Sequence, residues 1–205
     1  MATAVFISTA YLIGSLSFAV IVSRAFLLPD PRTYGSGNPG ATNVLRTGRK
    51  VAALLTLLGD GGKGWLAVFL ASRYAAEYGV DATGVAACTV AVLLGHIFPV
   101  FFRFRGGKGV STAGGILLAV NPWLAVATIA TWVVIALFFR YSSLASIVSA
   151  LFAPLYYFFL FGARDVLPAL IVMSSLLIWR HKANILRLVA GEERRIGEKR
   201  DSASA

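Results

Sequence analysis

The chain has 205 residues, 58% of them hydrophobic and only 14% charged, with a mean hydropathy of +0.76. Soluble domains carry about 25% charged residues, so this composition excludes an ordinary soluble globule and points to an all-α, polytopic membrane protein. The net charge of +10 is no argument for nucleic acid: lysine and arginine are confined to short connectors and the tail, with no basic amphipathic helix or stacking platform.

A helix needs about 20 residues to cross the hydrocarbon. In chain order the sequence offers 4–28, 51–74, 83–102, 123–139, 144–161 and 166–179. The first run has no charge before Arg24 and exceeds the apolar stretch of about 7 to 15 residues in a cleavable signal, so it is read as a retained span. Cys88, the sole cysteine, lies in an apolar run; no intrachain disulfide can form, and its expected job is packing. The ten-residue run 111–120, closed by Asn121-Pro122-Trp123, suits by its length either a re-entrant segment or a short crossing.

Charge decides between them. With 111–120 crossing, seven transmembrane helices put the N-terminus outside and the C-terminus in the cytosol. Every lysine and arginine except Arg73 and Arg164 then lies inside or at the inner end of a span. Without that crossing, Arg140 and the basic tail part company with the earlier basic loops, against the positive-inside bias. The expectation is seven spans in one membrane-embedded domain, 1–192, with a polar, frayed cytosolic tail over 193–205.

Three polar blocks interrupt the oil. The first, Tyr34 to Lys50, satisfies G-x-G-x-x-G with Gly35, Gly37 and Gly40, but a dinucleotide fingerprint follows a strand and here a membrane span precedes it. Its glycines allow backbone N–H groups to close on an anion. Ser36, Asn38, Thr42 and Asn43 add short polar groups, and Arg46 a fork matched to phosphate. The second block sets Gly106, Gly107 and Gly109 around Lys108, just before helical residues whose N-terminus can face an anion. Phe102 stands where a P-loop needs its first glycine, Arg103 and Arg105 read as interfacial charges, and His96 is expected to fix the loop by a buried hydrogen bond. The third block is split: Arg140, Ser143 and Ser146 open one span, while Arg180, His181, Asn184, Arg187 and Glu193 follow the last, with His181 and Asn184 on one helix face. Asp60 and Lys63, three apart within a span, are expected to pair with each other.

Together these blocks, "GSGNPGATN" with Arg46, "GHIFPVFFRFRGGKGV" and "RHKANILRL" with Gly191 and Glu193, resemble the bacterial membrane-integral glycerol-3-phosphate acyltransferases that use acyl phosphate, over nearly the whole chain. The resemblance implies transfer of a fatty acyl group from long-chain acyl phosphate to the 1-hydroxyl of sn-glycerol 3-phosphate. The products would be lysophosphatidic acid and inorganic phosphate, at a cytosolic site of the bacterial inner membrane. It implies seven spans, contact with membrane lipids, and an acyl-phosphate-producing enzyme as a partner. Ser36, Arg46, Gly106, Gly107 and Lys108 are assigned to the acyl phosphate, and Asn43, Ser146, His181 and Asn184 to glycerol 3-phosphate. Gly35, Gly37, Asn38, Thr42 and Ser143 line the same site. His181 acts as general base, or a substrate phosphate oxygen takes the proton while His181 orients the hydroxyl; both stay open.

Thioester-dependent acyltransferases rely on His followed five positions later by Asp; after His96 and His181 those positions hold Phe101 and Leu186. No G-x-S-x-G elbow offers an acyl-enzyme serine, so direct transfer is expected. No side-chain cluster has metal-ligand spacing, and neither metal nor cofactor is expected. A transporter of a phosphate-containing solute is the alternative, but it calls for inverted repeats and a mid-membrane site, whereas the polar groups here gather at one edge.

Overall fold

The computed structural model describes residues 1–198, and all regular secondary structure in that range is helical. Its helices are α1 (Ala2–Gly14), α2 (Phe18–Ala25), α3 (Ala41–Leu45), α4 (Lys50–Tyr74), α5 (Ala82–Ile97), α6 (Val110–Val120), α7 (Pro122–Phe139), α8 (Ser142–Phe161), α9 (Val166–Arg180) and α10 (Lys182–Val189). Local chemistry sets several boundaries. Asp81 caps α5 by accepting the Gly84 N–H at 2.8 Å, and Asn121 ends α6 and caps α7 by accepting from Trp123 and Leu124, with Pro122 at the first helical position.

Among the described residues, five segments are long and apolar enough to cross a membrane: Ala2–Ala25, Lys50–Tyr78, Ala82–Phe102, Pro122–Phe139 and Ser142–Phe161. Helices α9 and α10 qualify as a sixth when taken as one pair, bent by 56°. At 11 residues α6 falls short by itself, since about 17 Å of helix does not match about 30 Å of hydrocarbon.

Two features differ from the sequence expectation. The first span is not one helix: it breaks between Gly14 and Phe18, where Ser15 bonds back to the Tyr11 carbonyl at 2.9 Å and Lys63 of α4 donates to the Leu16 carbonyl. Irregular backbone at this depth requires such satisfaction. The tail is not frayed at its start either. Arg140 and Ile196 exchange hydrogen bonds through the Arg140 carbonyl at 2.6 Å and its guanidinium at 3.0 Å, and Glu193 is bound into the helices. The last seven residues of the expected tail, 199–205, lie outside the described residues.

Helices α4 and α6 run side by side in the same direction. Ser111 donates to the Leu57 carbonyl at 2.7 Å, and one turn further along both helices a Cβ on Gly115 would collide with the Gly61 carbonyl. Only glycine permits this approach. Because α6 starts beside Leu57 rather than beside Lys50, the Lys108 loop sits about 10 Å along α4 from its first residue. Helices α1 and α5 run in the same direction, Gly84 at the start of α5 lying beside Thr3 and Gly95 near its end against the Tyr11 carbonyl, with Gly14 against that of Val92. The core between them contains Cys88, Val92, Leu93, Ile97, Ile116 and Leu124.

Candidate active site

The first glycine loop is braced from within by Asn43, which is 2% exposed. Its Nδ2 donates to the carbonyls of Pro31, at 2.8 Å, and Tyr34, at 3.1 Å, and its Oδ1 accepts the Ser36 N–H at 3.0 Å. The neighbouring amides are also engaged: Gly37 N–H donates to the Tyr34 carbonyl at 2.9 Å, and Asn38 N–H lies 3.4 Å from Ser36 Oγ. The N–H groups of Ser36, Gly37 and Asn38, expected to face an anion, are thus engaged within the loop, and Asn43, assigned to glycerol 3-phosphate from the sequence, serves as the clamp that shapes the turn. Gly35 packs against Asn43 and Arg46; Thr42 and Arg46 are exposed at the rim.

The second loop is moulded on His96. A Cβ on Gly106 would enter the His96 carbonyl, and one on Gly107 would enter the His96 imidazole, with the Pro39 carbonyl 2.9 Å away. Gly107 N–H donates to the His96 carbonyl at 3.2 Å, so this amide too faces inward. From the other side Arg180 donates to the carbonyls of Gly106, at 3.2 Å, and Gly107, at 3.4 Å. Arg32 joins the two loops, paired with Asp30 at 2.6 Å and donating to the Phe102 carbonyl at 3.4 Å. Arg103 and Arg105 are exposed.

Lys108 emerges from this mould and is held by Asn184 Oδ1. Asn184 in turn donates to Glu193 Oε1, which also accepts from Ser143 at 2.6 Å, while Glu193 Oε2 takes Arg187 at 2.8 Å. Burial of the ammonium pushes Lys108 down to about 8; Glu193 opposes the shift, and the positive fields of Arg187, Arg180 and Arg46 add to it. Glu193 is held below its ordinary range: burial by itself would raise it, but the hydrogen bonds from Ser143, Asn184 and Arg187 outweigh that. One carboxylate thus stands among four cations, an excess of positive charge suited to an anionic ligand.

His181 is buried at the bend between α9 and α10. Its Nδ1 lies 2.7 Å from the Leu177 carbonyl, and a carbonyl can only accept, so Nδ1 carries the proton and Nε2 offers a lone pair when the ring is neutral. Ser143 and Ser146, not separable in the sequence, part here. Ser143 belongs to the Glu193 network; Ser146 donates to the Ser142 carbonyl at 2.7 Å and accepts from Trp132 Nε1 at 3.1 Å, so its hydroxyl proton is engaged within the helices.

A cavity of about 260 Å³ brings Ser36, Gly37 and Asn38 of the first loop together with Gly106 and Lys108 of the second. Its remaining wall is Trp179, Arg180, Lys182 and Ala183. Arg46, Asn184, His181 and Ser143 lie beside or behind this wall rather than on it. The cavity cations Arg180 and Lys182, and Glu193 behind Lys108, are absent from the set assigned in the sequence. The signal for all three is the run from Arg180 to Glu193, which carries them beside His181 and Asn184.

The family of glycerol-3-phosphate acyltransferases has a sequence model that matches residues 4–191. The glycerol-3-phosphate acyltransferase of Ralstonia nicotianae is 65% identical over 200 residues, covering 98% of this chain and 97% of its own. That of Paraburkholderia phymatum is 61% identical over 196 residues, covering 96% and 93%. Crystal structures of PlsY (YgiH), an integral membrane glycerol 3-phosphate acyltransferase, are also similar. Its glycerol 3-phosphate form superposes with a TM-score of 0.89 and its lysophosphatidic acid form with 0.87, each 38% identical and covering 96% of both chains. The chain therefore belongs to the glycerol-3-phosphate acyltransferase family.

Proposed function

We propose that this protein transfers a fatty acyl group from acyl phosphate directly to the 1-hydroxyl of sn-glycerol 3-phosphate. The observation that carries the reading is Lys108: a half-buried ammonium on the cavity wall, in the field of Arg46, Arg180 and Arg187, with Glu193 the one carboxylate in that field among the described residues. Two phosphorylated substrates need that excess of cations, and the glycerol 3-phosphate and lysophosphatidic acid forms of the PlsY structures fit an acceptor and a product of this kind.

In the reaction, the hydroxyl oxygen forms a bond to the acyl carbonyl carbon and the bond from that carbon to the phosphate oxygen breaks. Phosphate leaves with the bonding electrons, and the hydroxyl proton ends on a phosphate oxygen or on His181 Nε2. Lys108, with Ser36 Oγ and Arg46 at its flank, stabilises charge growing on the leaving phosphate, where fixed donors act most strongly. Asn184, Ser143 and His181 orient the acceptor. The absence of a carboxylate on His181 Nδ1, whose partner is the Leu177 carbonyl, favours the phosphate as proton acceptor. His181→Gln then keeps measurable turnover at saturating substrate, whereas a general-base role predicts its loss.

Seven crossings complete the account, with the N-terminus outside, the C-terminus in the cytosol and the site facing the cytosol of the bacterial inner membrane. Their support is the charge distribution together with the shared direction of α4 and α6. A C-terminal reporter that works only in the periplasm, if active, refutes this topology. The function is tested with purified protein, glycerol 3-phosphate and equal concentrations of palmitoyl phosphate, palmitoyl-CoA or palmitoyl carrier protein. Lysophosphatidic acid with acyl phosphate alone supports it; product from a thioester alone overturns it.

A further inference from the structure

The ion pair buried in α4 has no part in that chemistry, yet it is joined to the site. Asp60 and Lys63 are 3% and 4% exposed. Lys63 Nζ lies 2.8 Å from Asp60 Oδ1 and donates to the Leu16 carbonyl released at the break between α1 and α2. Asp60 Oδ1 is 3.6 Å from His96 Nδ1, which also meets Thr112 Oγ1 of α6 at 3.1 Å. Across the ring lies Gly107, too close to the imidazole to carry a Cβ and bonded through its N–H to the His96 carbonyl. The contacts therefore run without a gap from the broken first span, through the ion pair and His96, to the residue preceding Lys108. Each charge in a span costs on the order of 2.5 to 3.5 kcal/mol on insertion scales, and apolar residues of equal volume commonly pack as well as a buried pair or better. Packing alone is a poor reason for the two charges.

We propose that Asp60 is a positioning residue for acyl transfer. Paired with Lys63 and 3.6 Å from His96 Nδ1, it holds by its charge the imidazole that Thr112 Oγ1 bonds at 3.1 Å, and His96 sets the depth at which Gly107 and Lys108 meet the donor phosphate. This rests on the assignment of the Gly106–Lys108 loop to acyl phosphate.

Two variants test it in purified full-length protein in lipid nanodiscs, with palmitoyl phosphate and glycerol 3-phosphate. Asp60→Leu combined with Lys63→Met removes both charges at similar volume and strands neither. Thr112→Val removes one hydroxyl and leaves the ion pair in place. Thr112→Val should shift the thermal midpoint by a few degrees at most; the double variant, which also leaves the Leu16 carbonyl without its Lys63 donor, should lose more, and its rates are taken per folded protein. The value of kcat/KM for acyl phosphate should fall at least about tenfold in the double variant and about threefold in Thr112→Val, because displacing a reacting group by even 1 Å is costly. KM for acyl phosphate should rise more than KM for glycerol 3-phosphate. Parental kcat/KM in both variants overturns the proposal, as do equal rises in both KM values that track a loss of folded protein. If the double variant does not fold, Thr112→Val decides on the same terms. Lys108→Ala, run alongside, separates the two claims: parental activity there overturns the loop assignment itself, while an impaired Lys108→Ala beside parental kcat/KM in both other variants overturns only the positioning role.

Discussion

Replacing Glu193 by Gln probes the whole network behind Lys108 with one atom changed. The carboxylate takes Ser143 at 2.6 Å and Asn184 on Oε1, and Arg187 at 2.8 Å on Oε2. A glutamine has one oxygen to offer. If that oxygen keeps Ser143 and Asn184, the new NH2 group faces Arg187 Nε, donor against donor. Hydrogen bonds to a charged group are worth about 1.5 to 3 kcal/mol and neutral ones about 0.5 to 1.5, so the two retained bonds weaken by about 1 kcal/mol each. The Arg187 contact is discounted, because that side chain is 43% exposed and can turn to water. A summed loss of about 2 kcal/mol in the hold on Ser143 and Asn184 together corresponds to roughly a thirtyfold fall in kcat/KM. The assay is lysophosphatidic acid formation at varied acyl phosphate and varied glycerol 3-phosphate, with Arg187→Ala as a comparison expected to lose less. A Glu193→Gln variant within threefold of the parent, or an Arg187→Ala variant that is worse, would refute the reasoning.

Lys108, held down to about 8 by burial, needs its proton to bind an anion, so kcat/KM for acyl phosphate should decline tenfold per unit above that pH, and Lys108→Arg should move the decline beyond the assay range. Stability takes the opposite sign: between about 8 and the ordinary lysine value of 10.5 the unfolded chain binds more protons than the folded one, so unfolding experiments should show stability rising through the window in which activity falls. Ser143→Ala should lower kcat/KM about three- to tenfold by freeing Glu193, while Ser146→Ala, whose partners are Trp132 and the Ser142 carbonyl, should leave it within about twofold. Gly115→Leu should prevent α6 from lying on α4, visible as loss of the monodisperse folded species on size exclusion in detergent, because its side chain would occupy the Gly61 carbonyl.

The spans are legible because twenty apolar residues in a row have few other uses, and the helical ends fall within a few residues of the apolar runs. The break after Gly14 is not, because its stabilising partner, Lys63, is 47 residues away in the chain. Both glycine loops are recognisable as special, but the reason differs from the one composition suggests. Gly106 and Gly107 are required by the closeness of His96, and the amides of Ser36 and Gly37 are taken up internally; neither follows from spacing. Asn43 has the chemistry of a ligand and the position of a clamp. Ser143 and Ser146 differ by less than a turn, which is enough to point one at Glu193 and the other at Trp132. Glu193 and Arg180 stand in a run whose polarity is plain in the sequence, but only the fold returns that run to Lys108.

The central claim is that Lys108 and its loop hold the donor phosphate. It is tested most directly by the affinity of an acyl phosphonate, which cannot transfer its chain, for the parent protein and for Lys108→Ala in nanodiscs. Removing one charge-assisted hydrogen bond should weaken binding by roughly 10- to 150-fold, with the thermal midpoint of the unliganded protein little changed. Equal affinity in the two folded proteins would contradict the account.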